Sequence, residues 1–256
     1  VAELRGRDHE TPCKGCAATG TLFGVVDFSK NCEERHGRFL PLTGIPVYYY
    51  RCPECGLIYS CDFDALSDQE LSRLVYNEDY AQVDPDFGEA RPRASTAMVS
   101  RFFGAYREDL SILDYGCGNG RLVQMLASAG FRQVEGYDPF VERYSARPTG
   151  TYDLVLCFEV LEHAVDPRRT FADLAGFRKA DGIVLYSTLL QPPDIAAQKL
   201  AWWYAGPRNG HFTLHSAESL RRGWKVHGLR TASMKVSLHV AFSRVPEFAR
   251  HLIRSP

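Results

Sequence analysis

Residues 112–126 read ILDYGCGNGRLVQML, and no other stretch restricts the fold so strongly. An apolar run closes on Asp114. Glycines at 116, 118 and 120 alternate with other residues, and an amphipathic pattern then runs on to Gly130. Glycine admits left-handed backbone and lets a ligand approach the main chain closely. The spacing of the apolar positions after Arg121 predicts a helix, with Gly130 as its stop. The helix start leaves free N–H groups at the turn. The alternation continues downstream. QVEGYDP predicts a second strand, YDLVLCFEV a third, PRRTFADLAGFR a short helix, and GIVLYSTLL a fourth strand apolar enough to be buried on both faces. SAESLRRGWKVHGL predicts a helix capped by Ser216 and Ser219, and ASMKVSLHVAF the last two strands, as an antiparallel edge. Alternation of this kind folds into an α/β, doubly wound, mostly parallel sheet, whose ligands sit beyond the carboxyl ends of its strands.

Spacing and charge narrow the ligand. A dinucleotide fingerprint needs a third glycine three places after the second. Here that position is Arg121, and Gly120 comes one place too early. Asp114 would repel a pyrophosphate and attract a cationic ammonium group. Asp138 ends the second strand and is placed to accept hydrogen bonds from two ribose hydroxyls. A phosphate-free nucleoside with a positive amino-acid part satisfies both carboxylates.

Together, LDYGCGNG, YDP and YDLVLCFEVLEH resemble the class I S-adenosylmethionine-dependent methyltransferases, over about residues 109–245. The resemblance implies a Rossmann-like fold with S-adenosylmethionine as cofactor. It places Asp114, Gly116, Cys117 and Gly118 along the methionine moiety, Asp138 and Pro139 at the ribose, and Phe158 and Glu159 at the next strand end. One departure is plain. Only PFVERYSARPTGT separates the second strand from the third, too short for the helix and strand that members of the family carry there. Phe140 is the residue left to wall the adenine.

Methyl transfer from a sulfonium demands alignment above all, and a hydroxyl acceptor gains from a general base. His163, in EVLEHAVDP, follows the strand that ends at the cofactor, with Glu162 beside it as an orienting partner. His211 is the competing base. It and His215 follow Trp202, Trp203, Tyr204 and a turn-rich GPRNG, an insertion expected to cover the substrate. Arg208 is expected to bind a phosphate or carboxylate there.

Six of the eight cysteines precede residue 62. CKGC contributes Cys13 and Cys16, and CPECG contributes Cys52 and Cys55. Two C-x-x-C knuckles present four thiolates, the ligand set of a structural Zn2+ site. Cys32, His36 and Cys61 are further ligand candidates, Cys32 with His36 being the main rival to one knuckle. TLFGVVDF and IPVYYYRC read as strands, so residues 1–62 are expected to form a small zinc-ribbon-like module. Residues 63–108 form a helical connector or lid. LSDQELSRLVY is capped by Ser67 and Glu70, PDFGEARPR is a polar link, and ASTAMVSRFFGAY is a further helix. Residues 109–256 form the cofactor domain. A knuckle pair ahead of such a domain resembles a bacterial group whose members methylate sugars, including nucleotide-linked ones, and that resemblance puts Tyr76 and Tyr80 near the cofactor.

The formal net charge of -1 gives no bulk pull toward nucleic acid or membrane. Residues 197–256 nevertheless carry ten Lys/Arg against two Asp/Glu, a basic quarter suited to an anionic small-molecule substrate. No apolar run reaches the ~18 residues of a membrane span, and VAELRGRDHETP lacks the apolar core of a leader. A cytoplasmic protein is expected, in which paired cysteines are more often metal ligands than disulfides. Three readings follow. The first is a methyltransferase acting on a saccharide or nucleotide-linked sugar, with O- or C-methylation. The second is an RNA methyltransferase with a zinc recognition module. The third is a cofactor-binding interaction protein without turnover.

Overall fold

The computed structural model describes residues 8–253. The chain opens with an antiparallel ribbon: β1 (Glu10–Pro12), β2 (Thr19–Asp27), β3 (Pro46–Arg51) and β4 (Ile58–Ser60). Three helices follow: α1 (Asp68–Leu74), α2 (Tyr80–Val83) and α3 (Ala90–Phe103). The capping box before α1 forms as the sequence predicts, with Ser67 Oγ accepting from the Glu70 N–H and the Glu70 carboxylate accepting from the Ser67 N–H. PDFGEARPR is not wholly a link, because α3 already begins at Ala90 and includes RPR. Pro92 sits in its first turn, where a proline's missing N–H has no helical partner to lose.

The second sheet is built from β5 (Ser111–Tyr115), β6 (Gln133–Tyr137), β7 (Tyr152–Phe158), β8 (Arg178–Ser187), β10 (Arg230–Lys235) and β11 (Leu238–Phe242), in the order β10-β11-β8-β7-β5-β6. The four strands β8, β7, β5 and β6 run parallel, and β11 and β10 complete one side antiparallel, as expected. Strand periodicity separates the two faces. Ile112, Leu154, Leu156, Ile183 and Leu185 pack on α3 and α4 (Arg121–Ser128). Leu113, Val155, Val184 and Tyr186 pack on α5 (Pro167–Phe177) and α7 (Ala217–Lys225). Between β8 and α7 lie only the one-turn α6 (Ile195–Gln198), 3-10 turns and β9 (Thr213–Leu214).

Two features bear on the site. No strand lies outside β6 among the described residues, so the shortened segment 139–151 omits a strand altogether and leaves β6 as the sheet edge. The other concerns β9, which pairs antiparallel with β4 and so completes the N-terminal sheet from the far end of the chain. Gln191 Nε2 reinforces that seam, donating to the carbonyls of Gly56 (2.8 Å) and Leu214 (2.7 Å). No helix is long and apolar enough to cross a membrane among the described residues.

Candidate active site

A cavity of about 850 Å³ opens at the carboxyl ends of β5, β6 and β7. Asp114, Gly116, Cys117, Gly118, Asp138, Pro139, Phe158, Glu159 and Tyr80 all border it. Gly116 has φ +76°, and a Cβ there would stand 2.4 Å from Val160 Cγ2. Gly118 has φ +53° and nothing within 4 Å on its Cβ side, so it leaves the turn bare toward the cavity.

The two strand-end aspartates differ. Asp138 is hydrogen-bonded: Oδ2 accepts from the Gly118 N–H (2.8 Å) and Oδ1 from the Phe140 N–H (2.9 Å), which ties the glycine turn to the turn after β6. Asp114 is buried, and no donor among the described residues reaches its carboxyl. Burial, with Asp138 nearby, pushes it from an ordinary 3.8 up to about 7. A buried carboxyl of this kind lacks a cation, which a ligand can bring. Glu159 takes φ +54°, unusual for a non-glycine residue. Ser187 Oγ holds it there, accepting from the Glu159 N–H (2.8 Å) and donating to Oε1 (2.6 Å).

The roof is the connector. Tyr76, Phe87 and Arg91 line the cavity, and Phe140 stands 5.8 Å from the Tyr76 ring at its rim. Arg91 is held by a two-pronged pair to Asp84 (2.9 and 2.8 Å). The insertion expected to cover the substrate does not do so. Trp202 and Tyr204 are buried in the core, and Arg208 is buried with its guanidinium on the Val75 carbonyl and Asn77 Oδ1, both at 2.8 Å. It anchors the end of α1 and does not line the cavity. The aromatic spacing of Tyr76, Tyr80 and Phe87 was the available signal for the true roof.

His163 borders the cavity on the 3-10 turn after β7, with Nδ1 3.1 Å from the Tyr76 hydroxyl. Burial and His211 push its pKa well below 6.5, so the imidazole is neutral. Glu162 does not orient it. That carboxyl is fully buried behind the cavity, Oε1 accepts from the Tyr204 hydroxyl at 2.5 Å, and Oε2 has no partner. Burial and Glu159 raise Glu162 to about 8. His211 also lies behind the cavity wall. Its Nδ1 is 2.8 Å from the Tyr204 carbonyl and its ring meets His163 edge-on at 5.0 Å. Burial lowers it to about 4. It is shut off from an acceptor, and His163 is the histidine that meets the cavity. His215 is buried elsewhere.

Charge on the cavity wall is one-sided. The lining carries eight carboxyl groups, Asp68, Glu78, Asp84, Asp114, Asp138, Glu159, Asp166 and Asp173, and two guanidiniums, Arg91 and Arg169; Arg91 is paired with Asp84, and Asp173 is paired with Arg147 from outside the lining (2.7 Å).

In the N-terminal ribbon, Cys13, Cys16, Cys52 and Cys55 converge, with all four ligand sulfurs within 4.8 Å of one another. The cross-knuckle separations are 3.6 Å (Cys13–Cys55) and 3.5 Å (Cys16–Cys52). A tetrahedron with Zn–S arms of about 2.3 Å has edges of about 3.8 Å, so the donor set fits that ion. The knuckles are alike. Ala17 and Gly56, after the second cysteine of each, have φ +63° and +71°, and their N–H groups donate to the carbonyls of Cys13 and Cys52. Cys32 lies 3.6 Å from His211 Nδ1, His36 receives the Arg35 Nε–H, and Cys61 pairs with Thr11, so none of the three joins the cluster.

A profile described as "Methyltransferase domain" matches residues 87–233. The ubiquinone biosynthesis O-methyltransferase of Yersinia enterocolitica is 35% identical over 32% of this chain and 43% of its own length. That of Bordetella pertussis is 34% identical over 32% and 44%. The chain therefore spans less than half the length of these curated relatives. An O-methyltransferase family protein from Burkholderia thailandensis superposes with a TM-score of 0.52 over 71% of this chain and 65% of its own, at 16% identity, a likeness of fold.

Proposed function

The chain belongs to the methyltransferase-domain family, and from that premise we propose that it transfers a methyl group from S-adenosylmethionine to a hydroxyl of a neutral small acceptor, a saccharide. The observation that carries the reading is Asp114, a buried carboxyl without a protein partner beside the glycine turn. S-adenosylmethionine, when bound, supplies an activated methyl group on a sulfonium. Asp114 and the bare turn at Gly118 hold the amino-acid end. Asp138 keeps free lone pairs on both oxygens for ribose hydroxyls. Phe140 walls the adenine side, where β6 is the open edge. The residues 63–108 close the roof, and Tyr76 and Tyr80 narrow it.

His163 serves as the base. With its proton on Nδ1, donated to the Tyr76 oxygen, Nε2 is left to take the proton of the acceptor hydroxyl. Its low pKa, set by burial with His211 and Arg91 nearby, makes it a weak base. The eight carboxyl groups against two guanidiniums support a neutral acceptor over an anionic one. A nucleotide-linked sugar would have to keep its diphosphate outside this wall. RNA, a polyanion that needs a cationic track, is disfavoured on the same ground. Cys13, Cys16, Cys52 and Cys55 would hold a Zn2+ through four thiolates, a closed ligand set that would make the ion structural.

Calorimetric titration with S-adenosylmethionine, followed by transfer of a labelled methyl group to neutral sugars, nucleotide sugars and RNA in parallel, tests the proposal. Binding with label in the neutral sugars is expected. Label in RNA alone would replace this reading with the RNA one, and binding with no transfer to any class would favour a binding-only protein. Absence of binding would overturn it.

A further inference from the structure

A second cavity, of about 460 Å³, lies between α5, α7 and the first cysteine knuckle, apart from the site described above. Its walls are apolar: Leu57, Pro167, Phe171 and Val226. No Asp or Glu lines it, whereas the cofactor cavity has eight. Lys225 and Arg168 stand exposed on its lining, and Lys225 has no ion-pair partner among the described residues. Arg168 Nε donates to the Gly15 carbonyl (3.3 Å), and Arg222, also on the lining, is held by Glu218 (2.7 Å) and Glu54 (3.7 Å). The basic surplus of the last quarter of the chain thus supplies Arg222 and Lys225 here and nothing to the cofactor cavity. Val226, beside Lys225, is 78% exposed, an apolar side chain left in water.

His215 also lines this cavity and is 1% exposed. Its Nδ1 pairs with Ser219 Oγ (3.1 Å), but Nε2 makes no hydrogen bond. The Leu161 carbonyl lies beside the ring and partly offsets the burial that lowers its pKa to about 4, while also accepting from the Thr213 hydroxyl at 2.7 Å. Leaving a buried polar group unpaired costs about 1–3 kcal/mol, so a ligand that pairs with it gains.

We propose that this cavity is a second ligand site, for a soluble small molecule with an apolar body and one terminal anionic group. The apolar body lies along Phe171 and Leu57, and the anion meets Lys225 and Arg168. The inference does not depend on methyl transfer.

Hexyl phosphate, hexanol and inorganic phosphate are titrated separately by calorimetry into the full chain saturated with S-adenosylhomocysteine, which fills the first cavity if that compound binds. Hexyl phosphate is expected to bind saturably, at least tenfold tighter than either fragment. The exposed double variant Lys225→Glu/Arg168→Glu is expected to weaken it at least tenfold with the thermal melt unchanged. No saturable binding of hexyl phosphate would overturn the proposal. So would inorganic phosphate or hexanol binding equally well, indifference to charge reversal, or binding seen only to phosphatidic acid vesicles.

Discussion

Replacing Asp114 with asparagine separates what the carboxyl does for the ligand from what it costs the fold. The group is raised from an ordinary 3.8 to about 7, first by burial and then by Asp138. The folded chain therefore keeps a proton that the unfolded chain has released anywhere between those two values. Stability falls as pH climbs through that window and stays low above it. At about 1.4 kcal/mol per pH decade the ionised group costs roughly 4 kcal/mol at pH 8. The amide of Asp114→Asn removes this cost and brings about 1–3 kcal/mol of its own, as a buried amide without partners. The net expectation is a variant about 1–3 kcal/mol more stable at pH 8, a melting point a few degrees higher, and no gain at pH 4. Ligand binding moves the opposite way. A cationic ligand selects the ionised carboxyl, which is about one tenth populated at pH 6 and nine tenths at pH 8, so wild-type affinity for S-adenosylmethionine should weaken about tenfold as pH falls from 8 to 6. The variant should bind roughly a hundredfold or more weakly at pH 8 and lose most of that pH slope. Calorimetry from pH 6 to 8 and thermal melts at pH 4 and 8 read both effects. A flat wild-type profile, or an asparagine variant that binds normally, would refute the assignment of Asp114 to a ligand cation.

His163→Ala is expected to leave cofactor affinity within about twofold and to cut turnover by roughly 10²–10⁴; single-turnover transfer measures it, and full activity would remove the base. Gly116→Ala forces a methyl group to 2.4 Å from Val160 Cγ2 at φ +76°, so cofactor binding should collapse together with about 1–2 kcal/mol or more of stability. Metal analysis should find one zinc per chain, lost in Cys52→Ser or Cys55→Ser, and a chelator should lower the melting point of the wild type alone. Metal-free protein that melts unchanged would contradict a structural ion.

Much of the fold and of the site is legible in the sequence. The glycine turn and the caps at Ser67 and Ser216 are local signals, because the residues that satisfy them lie within a few positions, and Asp114 and Asp138 are legible as carboxylates closing apolar strand patterns. The lost strand was legible as a length, since thirteen residues cannot hold a helix and a strand. What was hidden depended on distant partners. Arg208 reads as an anion binder until Val75 and Asn77 come round to meet it. The exposure of His211 is decided by Tyr204 and Cys32, and the real partner of Glu162 is Tyr204, 42 positions away. The start of α3 was missed because RPR looks like a link, although proline suits a first helical turn.

The pairing of β9 with β4 has a consequence for the timing of synthesis. The edge of β4 is exposed once residue 60 leaves the ribosome, and the strand that covers it follows about 150 residues later. At 5–20 residues per second that is on the order of ten to thirty seconds with an open strand edge next to four free thiols. Those seconds are when pairing with a second nascent chain or premature oxidation is most dangerous. Early metal capture by the knuckles, which need nothing beyond residue 57, would shield the nascent ribbon until its last strand arrives.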